Sequence, residues 1–145
     1  MECGTAKGFC AKTILEYTKT KKKFFLLDKW DGLEKYCDRY VDFAEIEETF
    51  SRYPNVNLAK GTIPETLKHV NTDKIAFIHM DLNSAEPEMA AINYFWDKLV
   101  PNAIIVLDDY GHPGFEEQRY AWDRFAQEKN VNILCLPTGQ GLILK

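Results

Sequence analysis

Three aspartates and a histidine hold the plainest chemical potential of this 145-residue chain. Asp108 and Asp109 close the apolar run Ala103-Ile104-Ile105-Val106-Leu107, and Asp81 closes a second run from Ile75 to Met80. Apolar runs without alternation predict strands covered on both faces, as in a parallel sheet flanked by helices. Ligands of such sheets collect outside the carboxyl ends of the strands. Asp81, Asp108 and Asp109 therefore stand where chemistry would be done. Three hard oxygen donors suit Mg²⁺ or another oxygen-preferring cation. Aspartates at such places also cap helices and shape turns, and spacing alone leaves both readings open. His112 lies in the loop beside the pair, placed to act as an acid or base. His79, inside the strand before Asp81, reads as a buried core histidine.

A second group lies near the start. Gly4-x-x-x-Gly8 falls between a strand end and a helix start, where small residues let backbone approach a ligand and the helix N-terminus favours negative groups. Asp28 follows Gly8 by twenty residues, at the end of the next strand. A carboxylate there can accept both hydroxyls of a ribose, and the plain alternative is a polar strand terminus. Trp30, in the loop after Asp28, could cover a bound adenosine or substrate. Trp96 and Trp122 fit helix packing.

These residues need a scaffold of alternating strands and helices. A helix is expected to Thr18, with Phe9, Ile14 and Tyr17, and Cys10 beside them, on its apolar side. Strands follow at Phe24 to Leu27 and Val56 to Ala59, separated by a polar, aromatic segment from Leu33 and a helix around Ala44 to Tyr53. Ile63 to Leu67 reads as a short helix with proline in its first turn. Asn83 or Ser84 is expected to cap a helix running to Leu99, with Glu86 completing a capping box. Pro101-Asn102 should break that helix. A helix from Phe115 to Lys129 carries Tyr120, Ala121, Trp122 and Phe125 at helical spacing. Val131 to Leu136 and Gly141 to Leu144, joined by Pro137-Thr138-Gly139-Gln140, predict a closing antiparallel hairpin. The outcome is an α/β layered sandwich in one domain, residues 1–145.

Composition narrows the function. A formal charge of −4 gives no support to a broad nucleic-acid surface. Lys19 to Lys23 reads as a solvated linker. The apolar runs are too short to span a membrane. Cys3, Cys10, Cys37 and Cys135 form no paired motif, and with no signal peptide ahead of them a reduced cytoplasmic setting is expected.

Taken in order, Glu2-Cys3-Gly4-Thr5-Ala6-Lys7-Gly8, Leu27-Asp28-Lys29-Trp30-Asp31-Gly32, Lys60-Gly61-Thr62-Ile63-Pro64-Glu65-Thr66-Leu67, Ala76 to Asn83, Leu99 to Gly111 and Gly139-Gln140-Gly141 make a specific set. The chain resembles class I S-adenosylmethionine-dependent methyltransferases of the macrocin O-methyltransferase type over essentially its whole length. The resemblance implies a Rossmann-like three-layer sandwich whose seven-stranded sheet has the order 3-2-1-4-5-7-6, with strand 7 antiparallel. It also implies a domain truncated at strand 1, without the N-terminal lid helices that often serve oligomer contacts in relatives; a homo-oligomer is compatible with it. By the same resemblance, Glu2, Gly4, Thr5 and Gly8 surround the methionine end of S-adenosylmethionine. Asp28 binds its ribose, and Trp30, Gly61 and Asp81 complete the cofactor site. Asp81, Asp108 and Asp109 would bind Mg²⁺, which holds the hydroxyls of a small-molecule methyl acceptor.

One departure bears on mechanism. Some metal-dependent relatives place an aspartate base two residues after the first metal ligand, where this chain has Asn83, and an amide cannot take a proton from an alcohol. His112 is the nearest substitute. The function expected is methyl transfer to a hydroxyl of a sugar or natural-product type molecule. The alternative is a module that binds the cofactor without turnover. A nicotinamide-dependent dehydrogenase fits poorly, because the third fingerprint glycine is missing and the closing hairpin is unexplained.

Overall fold

The computed structural model describes residues 1–31 and 41–145. Gly32, Cys37 and the start of the polar, aromatic segment lie outside the described residues. Seven strands, β1 (Glu2–Cys3), β2 (Phe24–Asp28), β3 (Val56–Lys60), β4 (Ile75–Met80), β5 (Leu99–Leu107), β6 (Ile133–Cys135) and β7 (Gly141–Leu144), form one sheet of order β3-β2-β1-β4-β5-β7-β6. β7 runs antiparallel to β5 and β6, while β1 with β2, β2 with β3, and β4 with β5 pair in parallel. This is the strand order, with β7 antiparallel, that the family resemblance implies. Four helices are described: α1 (Phe9–Thr18), α2 (Phe43–Phe50), α3 (Ala85–Phe95) and α4 (Glu116–Lys129). None is long and apolar enough to cross a membrane.

The described residues group into two compact units, Glu2–Val70, and Met1 with Asn71–Lys145. In the first, β2 is buried from Phe24 to Leu27, and α1 turns Ala11 and Leu15 inward. The expected apolar side of α1 is not the buried one: Phe9 and Tyr17 are exposed. Ala11 and Leu15, four apart, define the face that packs. α2 ends at Phe50 rather than Tyr53, with Ile46 and Phe50 buried. Residues 63–66 form turns instead of the expected helix, and the helical bonding is a single 3₁₀ turn at Leu67–His69. Proline disfavours helical backbone at the residue before it, Ile63, and the Thr62 carbonyl accepts from both the Thr66 amide and hydroxyl.

In the second unit, Ile78, Met80, Ile105, Leu107 and Ile143 are buried on the sheet, and Ala91, Ile92, Phe95, Trp122, Phe125 and Ala126 on the helices. Each such large side chain contributes roughly 1.5–3 kcal/mol on burial. Tyr120, expected among them, is exposed. α3 ends at Phe95, followed by a 3₁₀ turn, and β5 already begins at Leu99. Proline does not stop the strand because the ladder slips there: Ile75 pairs with Leu99, yet Phe77 pairs with Ile104. The surplus residues, with Asn102 in the left-handed region at φ 64, bulge out where no ladder bond from Pro101 is needed.

The apolar run of β5 is not covered on both faces. Ala103, Ile105 and Leu107 are buried, while Ile104 is 40% exposed. Ile104 pairs with Leu144, and Val106 with Leu142, which in turn faces Leu134. Leu134 and Leu144 are also exposed. The predicted two-sided burial therefore fails at this end of the sheet.

Candidate functional site

The glycine-loop unit is built around Asp28. β1, β2 and β3 end together, and backbone bonds tie the ends: Gly4 N donates to the Leu27 carbonyl at 2.9 Å, and Gly61 N to the Asp28 carbonyl at 2.8 Å. Gly4, Gly8 and Gly61 all have positive φ. At Gly8 the requirement is also spatial, because a Cβ would stand 2.6 Å from the Phe50 ring. The Asp28 side chain accepts from the backbone amides of Thr5 and Ala6 at 2.7 Å each through Oδ2, and from Trp30 N at 3.2 Å through Oδ1. Trp30 is buried, tilted against Phe43 at 5.2 Å between centroids, and its indole N–H donates to the Ala6 carbonyl at 2.9 Å. It fastens two loops to one another rather than standing open as a cover. Glu2 is buried in β1, and the buried Thr5 hydroxyl has no hydrogen-bond partner among the described residues.

The acidic edge of the second unit is built differently. Asp108 and Asp109 leave the end of β5 as a pair with opposite electrostatics. Hydrogen bonding from His79 first, and then from Gln140, holds the Asp108 carboxyl below its ordinary range against the cost of its own burial. His79 Nε2 lies 3.5 Å and Gln140 Nε2 3.1 Å from Asp108 Oδ1. Burial, then the Asp108 charge, pushes Asp109 upward. Two adjacent acids are thus driven apart in proton affinity, as paired carboxylates with different roles must be. Asp109 Oδ2 is buried without a hydrogen-bond partner among the described residues.

Behind this pair stands a network that sequence reasoning missed. Glu88, 3% exposed on α3, accepts from Gln118 Nε2 at 2.9 Å and Trp122 Nε1 at 2.7 Å, both on α4, and from Leu82 N at 3.3 Å. Gln118 also faces Asp109 and slightly offsets the upward push on its carboxyl. Burial first, with the Asp109 charge adding to it, raises the Glu88 carboxyl above its ordinary value. The expected Asn83–Glu86 capping box is absent: Ser84 is the N-cap, with no side-chain cap bond. Asn83 instead sits at φ 55 and donates to Asp81 Oδ1 at 3.2 Å.

His112 is exposed and stacked over the hairpin turn, so that a Cβ on Gly139 would meet its ring at 2.7 Å. The turn thus seats His112 with Gly139 and holds Asp108 with Gln140. For a divalent cation the chemistry of Asp81, Asp108 and Asp109 fits, since all three are oxygen donors and Asp109 keeps an unbonded buried oxygen. Their ligand oxygens are not gathered within 4.8 Å of one another as a set. Like charges without a counter-ion have that tendency.

Residues 1–110 match the methyltransferase domain family. No curated protein matches the chain. Among solved structures, the O-methyltransferase NovP superposes with a TM-score of 0.80 at 16% identity, over 99% of this chain and 70% of that one. The calicheamicin methyltransferase CalS11 gives 0.75 at 18% identity, over 99% and 70%. The Podospora anserina methyltransferase PaMTH1, solved with S-adenosylhomocysteine (SAH), gives 0.66 at 23% identity, over 98% and 69%. With the strand order, the glycine loop and a family match over most of its length, the chain belongs to the class I S-adenosylmethionine-dependent methyltransferases.

Proposed function

We propose that this chain transfers a methyl group from S-adenosylmethionine to a hydroxyl of a small molecule of sugar or natural-product type, in a reducing, cytoplasmic compartment. The observation that supports this reading is the divided acid pair at the end of β5, with Asp108 held ionised and Asp109 retaining a buried, unbonded oxygen. Structural neighbours that are O-methyltransferases agree with it. Asp81, Asp108 and Asp109 would hold a divalent cation, which when bound supplies a lowered acceptor-hydroxyl pKa.

The residues' own work is alignment. The hydroxyl oxygen forms its bond to the methyl carbon as the carbon–sulfur bond breaks, and the electron pair stays on sulfur as the thioether. Because the sulfonium is already a strong electrophile, correct placement carries much of the rate. The hydroxyl proton needs an acceptor. Asn83 cannot serve, and its amide is already turned onto Asp81. His112, exposed at the acidic edge, is the residue proposed for that step.

The test is methyl transfer to a panel of vicinal diols with and without EDTA, on wild type and on D108N/D109N. Turnover that falls with EDTA and is lost in the double variant is expected. Turnover indifferent to both would reduce the acids to turn formers. SAH binding without transfer to any acceptor would favour the second reading, a cofactor-binding module, which the Asn83 side chain motivates.

A further inference from the structure

One buried carboxylate stands behind both strand ends that carry the acids. Glu88 lies in the first turn of α3, where the partial positive charge of a helix start favours a carboxylate. Its Oε1 accepts from Leu82 N at 3.3 Å and from Gln118 Nε2 at 2.9 Å, and its Oε2 from Trp122 Nε1 at 2.7 Å. Two of these bonds lead toward an acid of the proposed cation site. Leu82 N belongs to the peptide unit that follows Asp81, so its bond fixes the backbone from which the Asp81 side chain leaves. Gln118, with one amide hydrogen engaged by Glu88, is held facing Asp109. The third bond, to Trp122, leads into the helix core and to neither acid. Asp108 is tied separately, its amide donating to the Met80 carbonyl at 3.0 Å. Burying a carboxylate costs free energy that its bonds often do no more than offset, and an apolar side chain of similar volume would pack as well. What the carboxylate adds is placement.

We propose that Glu88 is a positioning residue, whose carboxylate sets the Asp81 turn and seats Gln118 toward Asp109, so that the strand-end acids can gather on a divalent cation. This rests on the cation site proposed for Asp81, Asp108 and Asp109.

The test uses Mn²⁺ alone, its binding to metal-free protein followed by the electron paramagnetic resonance of the free ion. Urea midpoints are measured on each variant alongside. Wild type should bind Mn²⁺, and D108N/D109N should not bind it in the same range. Glu88→Gln keeps the shape but turns one acceptor oxygen into an N–H donor that confronts a donor. It should weaken Mn²⁺ about ten-fold or more. Gln118→Met removes only the arm toward Asp109 and should weaken Mn²⁺ by a smaller factor. Combining the two should cost less than the product of the separate factors, because both act along one path. Trp122→Phe cuts the third bond. It should lower the urea midpoint while leaving Mn²⁺ affinity within about two-fold of wild type.

Mn²⁺ affinity of Glu88→Gln within about two-fold of wild type would overturn the proposal, leaving Glu88 a part of the core alone. So would a Trp122→Phe loss of affinity as large as that of Glu88→Gln, since stability rather than placement would then govern binding. If Glu88→Gln does not fold, Gln118→Met decides by the same comparison with Trp122→Phe. If wild type binds no Mn²⁺, or D108N/D109N binds it as tightly, the cation site itself fails and the proposal falls with it. That result is distinct from one in which the aspartates matter and Glu88 does not.

Discussion

The two compact units of this chain hold their strand-end acids by different means. Around Asp28 the groups are backbone amides, aimed by glycines and left-handed residues at one central acid. Around Asp108 and Asp109 they are side chains: Gln140 from a hairpin turn holds Asp108, and Gln118, itself held by Glu88 of the neighbouring helix, faces Asp109. A backbone-built site keeps its shape as long as its turns are kept, whereas a side-chain-built site depends on buried residues one layer away. Substitutions should therefore act locally in the first region and from a distance in the second.

The largest effect is expected from Glu88→Ala. It leaves the Gln118, Trp122 and Leu82 donors facing an emptied, buried position. A loss of about 3 kcal/mol or more in urea unfolding is expected. A loss below about 1 kcal/mol would show that the acidic edge does not depend on this network.

Two glycine substitutions sharpen the contrast. Gly8→Ala places a methyl group against the buried Phe50 ring at positive φ, and roughly 2–3 kcal/mol should be lost. Gly139→Ala meets the exposed His112 ring, which can swing away, leaving mainly the backbone strain of about 1–2 kcal/mol. Equal losses would erase the distinction between the two regions.

The pH dependence expected from the acidic edge is smaller. Glu88 and Asp109 have folded-state affinities for the proton above their ordinary values. The folded chain then binds more protons than the unfolded one, so their contribution to stability is complete at low pH and is lost as pH rises above 4.5 for Glu88, and above 3.8 for Asp109, through the folded values. Asp108 has the opposite sign, and its contribution is lost as pH falls below 3.8. Urea midpoints of Glu88→Gln should decline less with rising pH than those of wild type; an identical decline would clear Glu88 of this role. At the bottom of the scale, Tyr17→Ser on the exposed side of α1 should change stability by no more than about 0.5 kcal/mol.

The fold was legible because strand ends, glycines and the closing hairpin are local signals, and each survives into the structure. The acids were legible too, as polar residues ending apolar runs. Their support was not, because Glu88 and Gln118 carry no motif. A signal did exist: Glu88 shares a helical stripe with Ala91, Ile92 and Phe95, and Gln118 with Trp122 and Phe125, so each is a polar residue on a buried face. Asp28 was found by position, but its carboxylate proves to be engaged by loop amides that no spacing rule displays. Two-sided burial of β5 is not legible in its sequence, because an unbroken aliphatic run looks the same whether one face is covered or both.

That open aliphatic face has a practical consequence at the bench. Ile104, Leu134 and Leu144 offer adjoining branched side chains to water on a folded chain. Environment-sensitive apolar dyes should fluoresce on the native protein, so a dye-based melting curve will begin from a high baseline and understate the transition. Sulfate salts, which strengthen apolar association, should bring the folded chain out of solution early.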